Sequence, residues 1–166
     1  MTPLRSTWTS VPDLAAREVD LLHRSGEFLG VGKSFKRGLN SRLEVHEAIV
    51  DHAFTFASLI FLMSSFTTLD EGDVVSVLGI SGRTLRRQRE TPKKPMPADL
   101  ASKIWLLAET LAKATEVFGT REKAEDWMKR PAIGLDGQRP IDMLQTVQGA
   151  ELVSDFLTRL EYNVYS

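Results

Sequence analysis

The sequence predicts an all-α fold, and three observations carry the prediction. From Ala98 to Phe118, Leu100, Ile104, Leu107, Leu111 and Ala114 recur at the i, i+3, i+4 spacing of one helix face. Stop signals fall after such stretches: Gly119 follows this one, Pro131 follows another, and Pro92, Pro95 and Pro97 close a third. No stretch of useful length alternates apolar and polar residues, so no strand is expected.

The elements follow in chain order. Residues 1–40 hold Pro3, Pro12, Gly26, Gly30, Gly32 and Gly38 and read as an N-terminal extension. Within it, Pro12 to His23 is a short amphipathic candidate with Ser10 as its cap, offering Val11, Leu14, Val19, Leu21 and Leu22 to a neighbour. From Ser41 the helical signal strengthens: Leu43, Val45, Ala48, Ile49 and His52 lead into Phe54, Phe56 and Leu59 to Met63, apolar on several faces at once. Such a helix has to be covered on all sides. A break at Thr68–Asp73 precedes a helix through Val74–Leu78, a turn at Gly79–Gly82, and a second helix from Arg83 to Glu90. After Ala98–Phe118 come a shorter helix over Glu122–Met128, a loop from Ala132 to Arg139, and a short helix over Ile141–Leu144. The last helix is expected over Gly149–Glu161, with Leu152, Phe156, Leu157 and Leu160 on one face, of which Leu152, Phe156 and Leu160 are turned inward. The organisation is an extension (1–40), a DNA-binding lobe (41–97) and a small helical C-terminal domain (98–166).

Composition narrows the function classes. At 166 residues and 42% hydrophobic, the chain can bury one core or two small lobes that share one. It has no cysteine, which excludes disulfides and thiolate metal sites, and His23, His46 and His52 have no partners at a metal-binding spacing. No Ser/His/Asp or Cys/His arrangement is present, so neither catalysis nor a cofactor is expected. Gly30-Val31-Gly32-Lys33-Ser34 lacks the first glycine and the preceding strand of a phosphate loop and is set aside. The first residues do not read as a secretory signal, which points to a cytoplasmic protein. His52 to Leu69 carries no charged residue, but its serines and threonines favour a buried helix or dimer interface over a membrane span.

Charge is arranged in blocks. Although the formal net charge is -1, residues 43–81 carry six acidic and no basic groups, and residues 82–94 carry six basic groups and one acidic. Attraction to phosphate is screened beyond about 10 Å at ordinary salt, so a local basic block matters more than the total. The block follows a helix-turn-helix pattern. Gly79 supplies a turn residue that tolerates positive φ, Val74, Leu78, Ile80 and Leu85 hold the locking positions, and Ser81 caps the second helix. Val75 stands where the motif prefers Ala, and Gln88 where it prefers an aliphatic residue. Arg83, Thr84, Arg86, Arg87 and Arg89 lie on the second helix, and Arg suits both guanine edges and phosphate. On charge alone this would be a solvated basic helix; the turn pattern upstream makes it a DNA-reading one. Lys93 and Lys94 are expected to touch phosphates or only solvent, and the expected DNA-binding set extends to Lys93.

The C-terminal motifs are Trp127-Met128-Lys129-Arg130-Pro131, the stretch Gly134 to Pro140, Ile141-Asp142-Met143-Leu144, Thr146, Gly149 and Glu161-Tyr162-Asn163-Val164-Tyr165-Ser166. With the helix-turn-helix before them, they resemble the antitoxins of RES-Xre toxin-antitoxin pairs, the Xre/MbcA/ParS family. The resemblance covers residues 95–166 best and 41–94 less closely. Arg130-Pro131 replaces the Asn-Pro common in the family, and Asp136-Gly137 replaces Gly-Gly. The resemblance implies a bacterial cytosolic antitoxin that neutralises a RES-domain, NAD-consuming toxin by occluding its active site. It also implies repression of the antitoxin's own operon through promoter DNA.

Pro131, Gly134, Gly137 and Pro140 read as a stiff turn whose free backbone groups Arg139 and Asp142 would satisfy, and Trp127 and Met128 read as core. Tyr162, Asn163, Val164, Tyr165 and Ser166 form the expected toxin-binding set: a tail after the last helix, with two tyrosines and an anionic end, suits a partner's cleft. The bland alternative is a frayed terminus. A homodimer is expected because helix-turn-helix readers meet two half-sites. The competing function is a dimeric transcriptional regulator without a toxin partner, and a RES-domain reading frame beside the gene would separate the two.

Overall fold

The computed structural model describes residues 11–31, 35 and 38–164. Among them the order is α1 (Val11–Phe28), α2 (Arg42–Val50), α3 (Phe56–Ser64), α4 (Glu71–Leu78), α5 (Gly82–Arg89), α6 (Ala98–Phe118), α7 (Arg121–Lys129), a 3-10 turn (Ile133–Leu135), α8 (Pro140–Met143) and α9 (Val147–Val164). The fold is all-α, and no strand occurs among the described residues beyond two isolated bridges.

The molecule is organised around α6. Ala101, Ile104, Trp105, Leu107, Ala108, Leu111, Ala112 and Ala114 are all buried, so the helix is covered on most of its circumference. Its neighbours are α1, α2, α4, α7 and α9. The small alanines let these helices approach closely, and Gly119, at φ 85°, ends the helix in a left-handed cap. Lys113, pushed down by burial, donates to the Ser154 carbonyl (3.0 Å), Ser154 Oγ (2.9 Å) and Thr158 Oγ1 (2.6 Å), tying α6 to α9.

Two expectations about the first third of the chain are revised. The segment read as an extension is a core element, because α1 runs five residues past His23 to Phe28 and buries Leu22, Ser25 and Gly26 beneath it. Its expected cap, Ser10, lies outside the described residues. The apolar stretch that begins at Ser41 is two nine-residue helices, not one continuous helix. The break falls at His52, which adopts φ 55°, and the α3 amides left open there are taken by distant carbonyls: Phe56 N donates to Lys94 O (3.2 Å) and Ala57 N to Pro92 O (2.7 Å). Phe54, Phe56, Leu59 and Leu62 are buried inside the chain, Phe54 lying 6.0 Å from the Trp105 ring, while Leu43 and Phe61 face solvent. The uncharged segment is therefore largely consumed by this chain's own core, which contains residues from Leu22 to Leu157 without interruption at residue 97.

Candidate functional site

The segment expected to be a helix-turn-helix, α4, the turn at Gly79 and α5, is built from local chemistry. Asp70 caps α4 in a reciprocal box with Asp73, each side chain accepting from the other's backbone N–H at 3.1 Å. Gly79 closes the helix at φ 65°, where a side chain would be strained. Ser81 Oγ accepts from Thr84 N at 3.1 Å and starts α5. Val74, Leu78 and Leu85 are buried at the locking positions, and Ile80 is half-buried. Gln88, at the position that prefers an aliphatic residue, is buried as well.

The six predicted DNA contacts divide. Arg83, Arg86 and Arg87 are exposed on one face of α5 and, with Thr84 and Glu90, line a shallow concavity. Thr84 is committed to the cap, its hydroxyl 3.0 Å from Ser81 Oγ. Arg89 turns back to α4, where it pairs with Glu71 at 2.9 Å. Lys93 is exposed in the turn beyond α5.

On α7, Trp127 sits between Phe118 (5.2 Å between ring centroids) and Phe156 (6.1 Å, stacked), and Met128 is fully buried. The loop after α7 is folded on itself: Ala132 N donates to Gln138 O and Gly137 N to Ala132 O, both at 3.0 Å, while Asp136 and Gly137 take φ 52° and 74°. Arg139 does not serve this loop as expected. It reaches Asp73 of α4 at 2.6 Å, with Asp142 farther off at 3.5 Å.

The tail also differs from the expectation. α9 does not stop at Glu161 but continues to Val164, so Tyr162 and Asn163 are helical. Glu161 accepts from Arg17 of α1 at 2.9 Å, which pins the last turns. Tyr162 is 54% exposed, Asn163 is exposed, and Tyr165 and Ser166 lie outside the described residues. The buried face of α9 is Ala150, Val153 and Leu157, not Leu152, which is exposed. Phe156 and Leu160 lie half-buried at its edges.

Residues 113–162 match the Antitoxin Xre/MbcA/ParS C-terminal toxin-binding domain. Antitoxin Xre of Photorhabdus laumondii is 32% identical over 105 residues, which is 63% of this chain and 70% of that protein. The chain belongs to the Xre/MbcA/ParS antitoxin family. Antitoxin Xre of Yersinia enterocolitica is 29% identical over 102 residues (61% and 68% of the two chains), and that of Pseudomonas putida 27% over 123 residues (74% of each). The matched domain begins inside α6 and takes in α7, the folded loop, α8 and nearly all of α9.

A polar seam joins this antitoxin's toxin-binding domain to α4 and the loop before it. Glu125 of α7 has no exposed surface, yet its Oε2 accepts from the backbone N–H groups of Thr67 (2.8 Å), Thr68 (2.7 Å) and Leu69 (3.1 Å), and its Oε1 from Arg121 Nε (3.0 Å). Burial pushes its carboxyl up, but the amides of Thr68, Leu69 and Thr67 and the Arg121 guanidinium together hold it below the ordinary value. Arg121 in turn stacks on Phe28 at 4.5 Å and faces Phe66 at 5.7 Å. Its Nη2 is buried without a hydrogen-bond partner among the described residues. Lys129 pairs with Asp70 (2.9 Å) and Asp73 (3.2 Å); these bonds raise its affinity for the proton and hold Asp70 below the usual carboxylate range. Sequence reasoning missed Glu125, Lys129 and Asp73. The local signals available were the Asp70/Asp73 spacing of a capping box and the i, i+4 spacing of Arg121 and Glu125 on one helix.

Among the described residues, no helix is long and apolar enough to cross a membrane.

Proposed function

We propose that this antitoxin neutralises a RES-domain, NAD-consuming toxin in the bacterial cytosol by occluding its active site, and represses its own operon by binding promoter DNA through α5. The observation that carries the reading is the toxin-binding match over residues 113–162, which ends where α9 still runs on toward Val164. A helix anchored by Glu161 on Arg17 presents Tyr162 and Asn163, with Val164, Tyr165 and Ser166 next in sequence. Little chain entropy is lost when such an end enters a cleft, and tyrosine rings supply apolar area there. Promoter binding rests on the arginine triplet Arg83, Arg86 and Arg87, held on one face behind a capped turn. Two half-sites on an operator favour a homodimer, although the apolar segment first read as its interface is mostly buried within one chain.

The test is to ask whether the reading frame beside the gene encodes a RES-domain protein, to co-purify that product with the antitoxin, to follow NAD consumption with and without the antitoxin, and to measure retardation of promoter DNA. NAD consumption should stop at stoichiometric antitoxin. Consumption that continues at full rate in the presence of excess antitoxin overturns the reading.

A further inference from the structure

The folded loop of the toxin-binding domain holds one side chain in an unusual place. Ile133 is 97% exposed, the most exposed large apolar side chain among the described residues. Its neighbours in the same turn are buried: Ala132 and Leu135 point inward and peg the turn to the core. Behind it Gly134 lies directly on the Phe156 ring, so close that any Cβ would overlap the ring. Phe156 is itself stacked on Trp127. The paired backbone of Ala132 with Gln138, and the left-handed Asp136 and Gly137, fix the remaining degrees of freedom. An isoleucine that packs on nothing, on a turn held from both sides, adds nothing to this chain's own core.

The surroundings fit a contact surface. Leu152, one turn before Phe156 on the same face of α9, is 53% exposed, and the Arg159 guanidinium lies over the Phe156 ring, 6.0 Å from its centroid. Arg130 and Asp136 flank the turn, so the apolar patch has a polar rim of both signs. An apolar anchor within such a rim is the anatomy of a protein interface, and a rigid anchor costs little entropy to dock.

We infer that Ile133 is an anchor that inserts into an apolar socket on the toxin, a contact separate from the tail. The inference rests on the proposed function: the patch lies within the segment matched to toxin binding, which is why the occupant is the toxin and not a second copy of this chain. An exposed anchor of this kind concentrates binding energy, so its loss is felt far beyond its share of area.

The experiment uses this antitoxin chain and, as probe, the RES-domain toxin that the proposed function assigns to it. Ile133→Asp should leave helical content, thermal unfolding and promoter binding unchanged, since the side chain packs on nothing, and should weaken toxin binding by about tenfold or more in calorimetry. Ile133→Val, which keeps most of the apolar surface, should hold affinity within about threefold. Unchanged toxin affinity in Ile133→Asp overturns the inference. So does unchanged affinity together with a lower sedimentation mass of the free variant, which would assign the patch to self-association. Failure of the wild-type antitoxin to bind the RES-domain protein at all sinks the proposed function; binding that is indifferent to Ile133 sinks this inference alone.

Discussion

Replacing Glu125 by Gln isolates the energetic weight of the seam. The variant keeps one oxygen, which can still face the Thr67, Thr68 and Leu69 amides at 2.7–3.1 Å. It loses the charge that strengthens those bonds. Its amide nitrogen, a donor, is also set against Arg121 Nε, where an oxygen now accepts at 3.0 Å. Hydrogen bonds to a charged group contribute about 1.5–3 kcal/mol each, and breaking a buried ion pair from one side costs about 3–5 kcal/mol. Because one acceptor survives, the expected loss is about 2–4 kcal/mol, read as a melting temperature lower by roughly 5–15 °C for a chain of this size. Circular dichroism melts of the two proteins at neutral pH measure it. A second arm uses acid. Glu125 is held below its ordinary pKa in the folded state, so its stabilisation is present above the unfolded carboxylate range and fades as pH falls through the folded value. The gap between wild type and variant should therefore narrow toward low pH. A melting difference under about 2 °C at neutral pH would refute the argument, since it would mean that the loop amides find water or other acceptors at no cost.

The remaining predictions concern function. Arg83→Ala, Arg86→Ala and Arg87→Ala should each weaken promoter binding by about 1–3 kcal/mol if they reach base edges, with toxin neutralisation intact; unchanged retardation by the triple variant would leave α5 a solvated face. Arg89→Ala should do much less to operator affinity, because its guanidinium is already paired with Glu71 at 2.9 Å; a loss equal to that of Arg86→Ala in the same assay would show that the pair opens on DNA. Deleting Asn163 to Ser166 should restore NAD consumption while helix content and promoter binding survive, and full inhibition by the truncated protein would move occlusion to the body of the domain.

What could be read from sequence was what local chemistry decides. Gly79 and Ser81 announced the turn and the cap because a left-handed residue and an amide acceptor are needed within a few positions of each other. The bounds of α6 followed from one periodic face and one glycine. Contacts between distant segments were silent. Nothing near Arg139 signals that its partner is Asp73, and nothing in the basic run of α5 distinguishes Arg89 from Arg86 until Glu71 is brought beside it. On α9 two apolar stripes compete, one through Leu152 and Phe156 and the other through Ala150, Val153 and Leu157. Packing against α6 selects the second, and periodicity alone cannot choose between them. The tail was misjudged for a similar reason: no glycine or proline follows Glu161, and the Arg17 contact that secures the last turns comes from the opposite end of the chain.

The same long-range contacts make a prediction about folding. A fragment of residues 41–97 holds both α4 and α5, the proposed DNA reader, yet it lacks most of what those helices rest on. Phe54 would lose Trp105, and the carbonyl of Leu78 would lose Lys103, which now donates to it at 3.2 Å. The Thr67–Leu69 amides would lose Glu125, and Asp73 would lose both Lys129 and Arg139. Short chains bury too small a share of their surface to offset such losses, so the fragment should be largely unfolded alone, with a poorly dispersed amide spectrum and no cooperative melt. If it instead unfolds cooperatively and binds promoter DNA with the affinity of the full chain, the helix-turn-helix is self-sufficient and the seam only fixes how the two functions are oriented. If it is unfolded, reading DNA requires the toxin-binding domain to be present and folded, and the two activities cannot be separated by cutting the chain between them.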